Sequence, residues 1–263
     1  LHAGAEMYGA DKVMLDLIKR LDKKKYKPFV ILPTEGVLAD ALKHEGVSVK
    51  VLPYPIMRRK YFNPKGIIRY GAGLIEYTNK IAKIAKEYQI DLIHTNTAAT
   101  LEGSFVSKRL HIPQIWCIHE IIVSPKIMYT VTSKLIAKYS SITITVSDAA
   151  KNHLYASGYF KKGAVKVIYN GVDSDRFKPE NDCSHLRVEW NIPKDARVIG
   201  MIGRVNSWKG QRDFLKAADI IMAKHPNVYT VFVGAAFEGE EWREKELADA
   251  VAQSPYRNRI INQ

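Results

Sequence analysis

Short apolar runs alternate with amphipathic segments along the chain, and this alternation constrains the fold more than any other feature. Strands that are separated by helices pair in parallel and form a sheet with helices on both faces. The predicted strands are Phe29–Leu32, Val47–Leu52, Asp91–Thr95, Gln114–Ile118, Ile142–Val146, Val165–Ile168, Val198–Ile202, Tyr229–Val233 and Arg259–Asn262. After a first helix that includes Val13 to Leu21, the predicted helices are Val37–His44, Ile67–Tyr88, Leu101–Leu110, Thr132–Tyr139, Ala149–Ala156, Gly210–Lys224 and Glu240–Ala252. The pattern predicts a doubly wound α/β fold.

The alternation breaks once, in a polar stretch after residue 170. Asn170-Gly171-Val172-Asp173 is a turn signal, and the alternation restarts only after Pro193. We therefore predict a first domain over residues 1–172, a linker over 173–194 and a second domain over 195–263. The second domain has few predicted strands for a doubly wound sheet, so we expect it to be incomplete. We interpret residues 1–3 as the end of a strand whose start is missing.

The stretch Val198–Gly210 places positive charge where parallel sheets bind ligands. An apolar strand ends at Gly203, Arg204 follows directly, and Lys209 and Gly210 precede a helix. Ligands of open α/β sheets bind beyond the carboxyl ends of strands, and a helix amino terminus adds partial positive charge. The pattern predicts a site for phosphate or diphosphate, although a solvated basic loop would contain the same residue types.

The excess positive charge of the chain lies in its first part. Residues 1–170 contain 26 Lys and Arg against 13 Asp and Glu, whereas residues 171–263 contain 14 of each. Such a domain suits an anionic partner. The segment Tyr54–Phe62 mixes aromatic residues with Arg58, Arg59 and Lys60, and we predict that it faces an anionic membrane surface. A loop packed on its own domain is the alternative, and without a recognition motif we expect no nucleic acid.

Three features that the sequence lacks bear on the cellular compartment of the protein. No apolar run is long enough to span a bilayer, and no signal-peptide pattern is present. Cys117 and Cys183 are too far apart for a zinc motif or a disulfide framework. We therefore expect a cytoplasmic protein, peripheral at the inner face of the membrane if the basic segment binds there, and make no prediction about its oligomeric state.

Several short motifs in a fixed order resemble those of GT-B-fold glycosyltransferases of family 4, also called glycosyl transferases group 1. They are Tyr8-Gly-Ala-Asp-Lys12, Ile118-His-Glu-Ile121, Ile144-Thr-Val-Ser-Asp148, Ile168-Tyr-Asn-Gly-Val-Asp173 with Phe177 and Pro179, Gly203-Arg204, Lys209-Gly-Gln211 and Val231-Phe-Val-Gly234. The resemblance implies two Rossmann-like domains with a nucleotide-sugar donor between them. It further implies a retaining, metal-independent transfer to a glycan or lipid-linked acceptor in cell-surface polysaccharide synthesis. The nucleotide sugar is then a substrate, and no cofactor is implied.

The resemblance also suggests roles for individual residues. Arg204 and Lys209 match the diphosphate-binding pair of the family, and His119 matches its active-site histidine, which would hydrogen-bond the donor sugar. Further donor-binding positions are glycines: Gly9, Gly203 and Gly234.

Several other polar positions are open to two interpretations. Asn96 and Thr97 end a predicted strand and are candidates for the acceptor side, or simply turn formers. We interpret Ser147 as a helix N-cap rather than a ligand. Asp173-Ser174-Asp175 resembles a metal-nucleotide motif, but it lies inside a turn, so we predict no metal site.

One part of the family pattern is missing. The glutamate pair of the family would lie beyond Gln263, so we expect this stretch to be inactive by itself. A nucleotide-sugar epimerase on the same scaffold and a non-catalytic protein that binds anions or nucleic acid are the alternative functions.

Overall fold

The computed structural model describes residues 1–237 and 239–263, apart from the side chain of Arg59. Residue contacts divide the chain into two compact units, Leu1–Val172 (unit 1) and Asp173–Gln263 (unit 2). In each unit the paired strands of the described residues are parallel and alternate with helices. The predicted α/β fold with Rossmann-like parallel sheets is confirmed.

Unit 1 contains two parallel sheets. Its strands are β1 (Phe29–Leu32), β2 (Ser48–Val51), β3 (Ile93–Asn96), β4 (Gln114–Ile118), β5 (Ile142–Thr145) and β6 (Val165–Val167). Its helices are α1 (Gly9–Arg20), α2 (Val37–His44), α3 (Pro64–Glu87), α4 (Glu102–Leu110), α5 (Lys126–Tyr139) and α6 (Asp148–Ala156). β1 pairs with β2, and the other sheet has the order β3-β4-β5-β6.

Residues 1–3 run beside β3 without forming a regular strand, and Leu1 makes hydrogen bonds of the kind expected from the predicted strand end. Leu1 donates its N–H to the His94 carbonyl at 2.8 Å and accepts from the Asn96 N–H at 2.9 Å. This is one bridge of a parallel ladder, which is too short for a strand. It brings His2 to the level where β3 ends.

One core cluster of unit 1 contains Trp116 of β4. This side chain is fully buried and packs with Ile118, Ile136 and Leu154. Its indole N–H donates to the Thr97 carbonyl at 2.8 Å, which satisfies the polar atom of an otherwise apolar side chain. Burial of each large apolar side chain contributes about 1.5–3 kcal/mol, so β4 is a rigid base for the residues that follow it.

Unit 2 is one parallel sheet flanked by helices. Its strands are β7 (Arg197–Ile202), β8 (Val228–Val233) and β9 (Ile260–Asn262), in the order β7-β8-β9. Its helices are α7 (Ser184–Glu189), α8 (Gln211–Lys224) and α9 (Trp242–Gln253). The helix α7 lies in the stretch that the sequence predicts to be a linker.

Candidate functional site

The carboxyl ends of β3 and β4 bring Asn96 and His119 together. Asn96 is the last residue of β3, and His119 follows the last residue of β4. The Asn96 Oδ1 atom lies 2.8 Å from the His119 Nε2 atom. Burial lowers the pKa of His119, the nearby His2 lowers it further, and Asp11 opposes both effects. His119 is therefore a neutral imidazole at neutral pH.

Glu120 turns back and holds the loop that positions His119. Its Oε2 atom accepts hydrogen bonds from the backbone N–H groups of Ala98, at 3.1 Å, and His119, at 3.3 Å. Burial raises the pKa of this carboxyl, and these hydrogen bonds oppose the rise. Glu120, which the sequence left without a role, thus ties the ends of β3 and β4 to each other.

The sequence did not reveal two further residues of this cluster, His2 and Asp11. The Asn96 Nδ2 atom lies 3.0 Å from His2 Nδ1, and the other ring nitrogen of His2 pairs with Asp11 Oδ1. Asp11 Oδ2 accepts from the backbone N–H of Tyr8 at 2.7 Å, at the start of α1. The available signal was Asp11 at the third position of a helix, which is typical of a capping residue.

Gly9 and Thr97 have opposite surroundings. Gly9 begins α1, is exposed, and has no atom within 4 Å of the position that a Cβ would occupy. Thr97 is 4% exposed and has a positive φ of 91°. Its hydroxyl oxygen accepts from the Ala99 N–H at 3.2 Å within the same turn. The backbone at Gly9 is open to a ligand, whereas the Thr97 side chain bonds within its turn.

In unit 2, side chains fix the loop between β7 and α8. Asn206 Oδ1 accepts from the backbone N–H groups of Trp208, at 3.2 Å, and Lys209, at 2.9 Å. Gln211 Nε2 donates to the Arg204 carbonyl at 2.7 Å. The Lys209 side chain is exposed, which is the state that a solvent-facing anion site requires.

The Arg204 side chain lies over an aromatic ring. Its guanidinium carbon is 3.6 Å from the centre of the Phe237 ring. A guanidinium in this position is held by cation–π attraction. The contact orients the cation that follows β7.

Gly203 and Gly234 meet where β7 and β8 end. Gly234 has a φ of 141°, and a Cβ built on it would lie 2.3 Å from the Gly203 carbonyl oxygen. No other residue fits this position without displacing the backbone. The two glycines therefore let the strand ends approach closely beside the cationic loop.

The predicted membrane segment is only partly exposed. Tyr54 and Ile56 are 3% and 9% exposed and belong to the core of unit 1. Arg58 and Lys60 are exposed, while the side chain of Arg59 lies outside the described residues. Further exposed apolar side chains follow in the chain, namely Phe62, Ile67 and Ile68. A surface contact at this segment thus begins at Arg58 rather than at Tyr54.

Asp173 and Asp175 form a local turn. Asp173 Oδ1 accepts from the N–H groups of Asp175 and Arg176, both at 3.1 Å. Over residues 1–237 and 239–263, no group of three or more His, Cys, Asp and Glu side chains is arranged to hold a metal ion. In the same described residues, we find no helix with the length and apolarity needed to cross a membrane.

The fold defines the class of the protein. HepE from Anabaena, solved in complex with UDP, is 25% identical and superimposes with a TM-score of 0.76 over 99% of this chain and 67% of its own. The fold is thus of the GT-B type. Residues 7–176 match Glycosyltransferase Family 4, and residues 184–259 match Glycosyl transferases group 1. The chain belongs to glycosyltransferase family 4.

Two curated relatives resemble most of the chain. Spore coat protein SA of Bacillus subtilis is 22% identical over 238 residues, which cover 88% of this chain. The UDP-Gal:alpha-D-GlcNAc-diphosphoundecaprenol alpha-1,3-galactosyltransferase of Escherichia coli is 23% identical over 234 residues, or 86% of this chain. The match covers 58% of each relative's length.

Proposed function

We propose that the protein is a glycosyltransferase that moves a sugar from a nucleotide-sugar donor to a glycan or lipid-linked acceptor. The observation that carries this proposal is the match of both units to glycosyltransferase families. The UDP bound to HepE and the name of the Escherichia coli relative support a nucleotide-sugar donor. We further propose that transfer retains the anomeric configuration, needs neither metal nor cofactor, and serves cell-surface polysaccharide synthesis.

Unit 2 would hold the leaving group of this reaction. When the bond to the sugar breaks, the nucleoside diphosphate gains negative charge, and fixed positive partners stabilise that charge. Arg204 and Lys209 are the proposed partners, on a loop that Asn206 and Gln211 already hold in shape. No atom lies within 4 Å of the position that a Cβ of Gly203 would occupy, so the backbone there is open to a ligand.

Unit 1 would supply the contact to the transferred sugar. We propose that His119, held by Asn96, hydrogen-bonds a hydroxyl group of the donor sugar. The exposed backbone of Gly9 at the start of α1 offers N–H groups to the phosphates. Asn96 and Thr97 stay candidates for the acceptor side. The Thr97 backbone is already paired with Cys117 and Trp116, so its hydroxyl group, which accepts from Ala99 and keeps its O–H to donate, is the part that would contact an acceptor.

Donor transfer is tested on the full-length protein with UDP-sugar and GDP-sugar donors. Product analysis should show a modified acceptor, and activity should persist in EDTA. Epimerised donor without acceptor modification would identify an epimerase, and salt-dependent binding of nucleic acid without donor binding would identify an anion-binding protein. Loss of all activity in EDTA that manganese restores would contradict metal independence.

We also propose that unit 1 binds an anionic membrane surface through Arg58, Lys60, Phe62 and the isoleucines 67 and 68. Each cation near such a surface contributes about 1 kcal/mol. Sedimentation with vesicles rich in phosphatidylserine should show binding that R58E/K60E weakens about tenfold or more. K24E/K25E, the same charge change at exposed lysines of unit 1, is the control. Equal binding by both double variants would refute this surface.

A further inference from the structure

Four side chains of unit 1 form one continuous series of hydrogen bonds, Asp11–His2–Asn96–His119, which we name the hydrogen-bond relay. It begins in α1, passes through residue 2 and the end of β3, and ends beyond β4. The side chains of His2 and Asp11 are only 1% and 7% exposed. These two residues have no part in the proposed function, and a buried charge of this kind is costly without a partner.

The relay has a fixed direction at its Asp11 end. Burial raises the pKa of Asp11, but the hydrogen bonds from His2 and from the Tyr8 N–H outweigh burial, and the pKa is lowered overall. Asp11 is therefore a carboxylate, which can only accept hydrogen bonds. His2 must then carry a proton on Nε2 and donate it to Asp11.

The direction is fixed again at Asn96. Its Nδ2 atom lies 3.4 Å from the carbonyl oxygen of Ala10, which can only accept, and 3.0 Å from His2 Nδ1. The amide nitrogen must face these two atoms, because the reversed amide would place two oxygens against each other. Asn96 Oδ1 therefore faces His119 and accepts from it.

It follows that His119 donates its Nε2–H to Asn96 at 2.8 Å. In a neutral imidazole the other ring nitrogen, Nδ1, is then the acceptor. We propose that Asp11 and His2 are positioning residues, which act through Asn96 to hold His119 in the Nε2–H tautomer. This rests on the proposed function for one point only, that the Nδ1 atom accepts a hydrogen bond from a hydroxyl group of the donor sugar.

The test is NMR of the full chain labelled with ¹⁵N-histidine, without any nucleotide. Resonances of ring N–H protons are seen only where exchange with water is slow, as in buried hydrogen bonds. We expect Nε2–H resonances from both His2 and His119, with His119 Nδ1 unprotonated. A proton on Nδ1 of neutral His119 would overturn the proposal, whatever any variant does.

Variants then test the order of the relay. D11N should make the Nε2–H protons of both histidines exchange at least about tenfold faster. N96A should do so for His119 alone, because His2 keeps its bond to Asp11. D16N, an exposed aspartate of the same helix, is the control. If D11N folds and leaves the His119 proton unchanged, Asp11 does not act on His119. Because no donor is present, this failure is distinct from a failure to bind nucleotide sugar.

Discussion

At Gly234 the backbone conformation and the neighbouring backbone together exclude any residue with a side chain. Its φ is 141°, and the carbonyl oxygen of Gly203 occupies the space beside it. Gly239 also has a positive φ, 81°, but a Cβ there would meet nothing within 4 Å. Substitution at Gly239 therefore tests backbone strain alone, whereas substitution at Gly234 adds a steric clash.

Substitution of these glycines should have unequal effects. G239A is expected to destabilise unit 2 by about 1 kcal/mol, from the backbone conformation alone. G234A should cost about 3 kcal/mol or more, since the new methyl group also displaces β7 from β8. Hydrogen exchange of the β8 amides measures the difference. Equal losses in the two variants would show that the contact with Gly203 has no energetic weight.

Glu102 is a second residue with a measurable consequence. It is 0% exposed, and burial raises its pKa to about 7 from an ordinary 4.5, against hydrogen bonds from its own N–H and that of Leu101. A carboxyl with a raised pKa favours the folded state while it is protonated. Its contribution is complete below about pH 4.5 and is lost as the pH rises to about 7, a loss of about 3 kcal/mol.

E102Q should remove this pH dependence. Between about pH 4 and pH 8, unit 1 of the wild type should lose about 3 kcal/mol more of its free energy of unfolding than the variant does. Exchange of the β4 amides provides the measurement. E87Q, at an exposed glutamate of α3, should behave as the wild type. A parallel decline in E102Q and the wild type would mean that Glu102 titrates normally.

Among the secondary-structure elements, the sequence predicted the buried ones well. β1 and β4 form at the predicted bounds, because most of their apolar residues are buried in the core and give a clear apolar run. α7 was missed because none of its residues is buried, so no periodic signal exists. α5 begins at Lys126 instead of Thr132, since Ile127 and Val131 are exposed and obscure its apolar face.

The structure confirms the prediction that Ser147 caps a helix. Ser147 is the N-cap of α6, and its hydroxyl oxygen accepts from the Ala150 N–H at 3.2 Å. S147A should destabilise unit 1 by about 1 kcal/mol. S147D, which keeps an acceptor at the cap, should cost clearly less. Amide hydrogen exchange in α6 measures this stability. If S147D destabilised α6 as much as S147A does, the capping role of Ser147 would be contradicted.

At the scale of the whole molecule, the sequence located the strand ends but not the cluster that forms there. His119 and Asn96 were recognised as separate candidates, each from its own strand. Their contact, and those with His2 and Asp11, join three separate parts of the chain. Such contacts depend on sheet register and on the packing of α1, and no local pattern contains them.

The charge distribution of the two units leads to the last prediction. Unit 1 holds the excess of positive charge, yet the proposed diphosphate pair lies in the balanced unit 2. UDP should therefore protect amides of the loop over residues 203–210 more than any of the basic surface of unit 1. K209A should reduce this protection, and in the full-length protein it should lower kcat about 10²-fold or more. K224A, at an exposed lysine at the other end of α8, should do neither. Protection confined to unit 1 would exclude the loop as the site.

The fixed orientation of the Asn96 side-chain amide has a consequence for the evolution of the protein. Its oxygen and nitrogen ends are not interchangeable, so His2 and His119 depend on each other although 116 residues separate them in the sequence. A change at one position leaves its neighbours in the series without the donor or the acceptor that they face. Lineages that replace one of the four side chains should therefore replace others as well, and positions 2, 11, 96 and 119 should covary as a single unit.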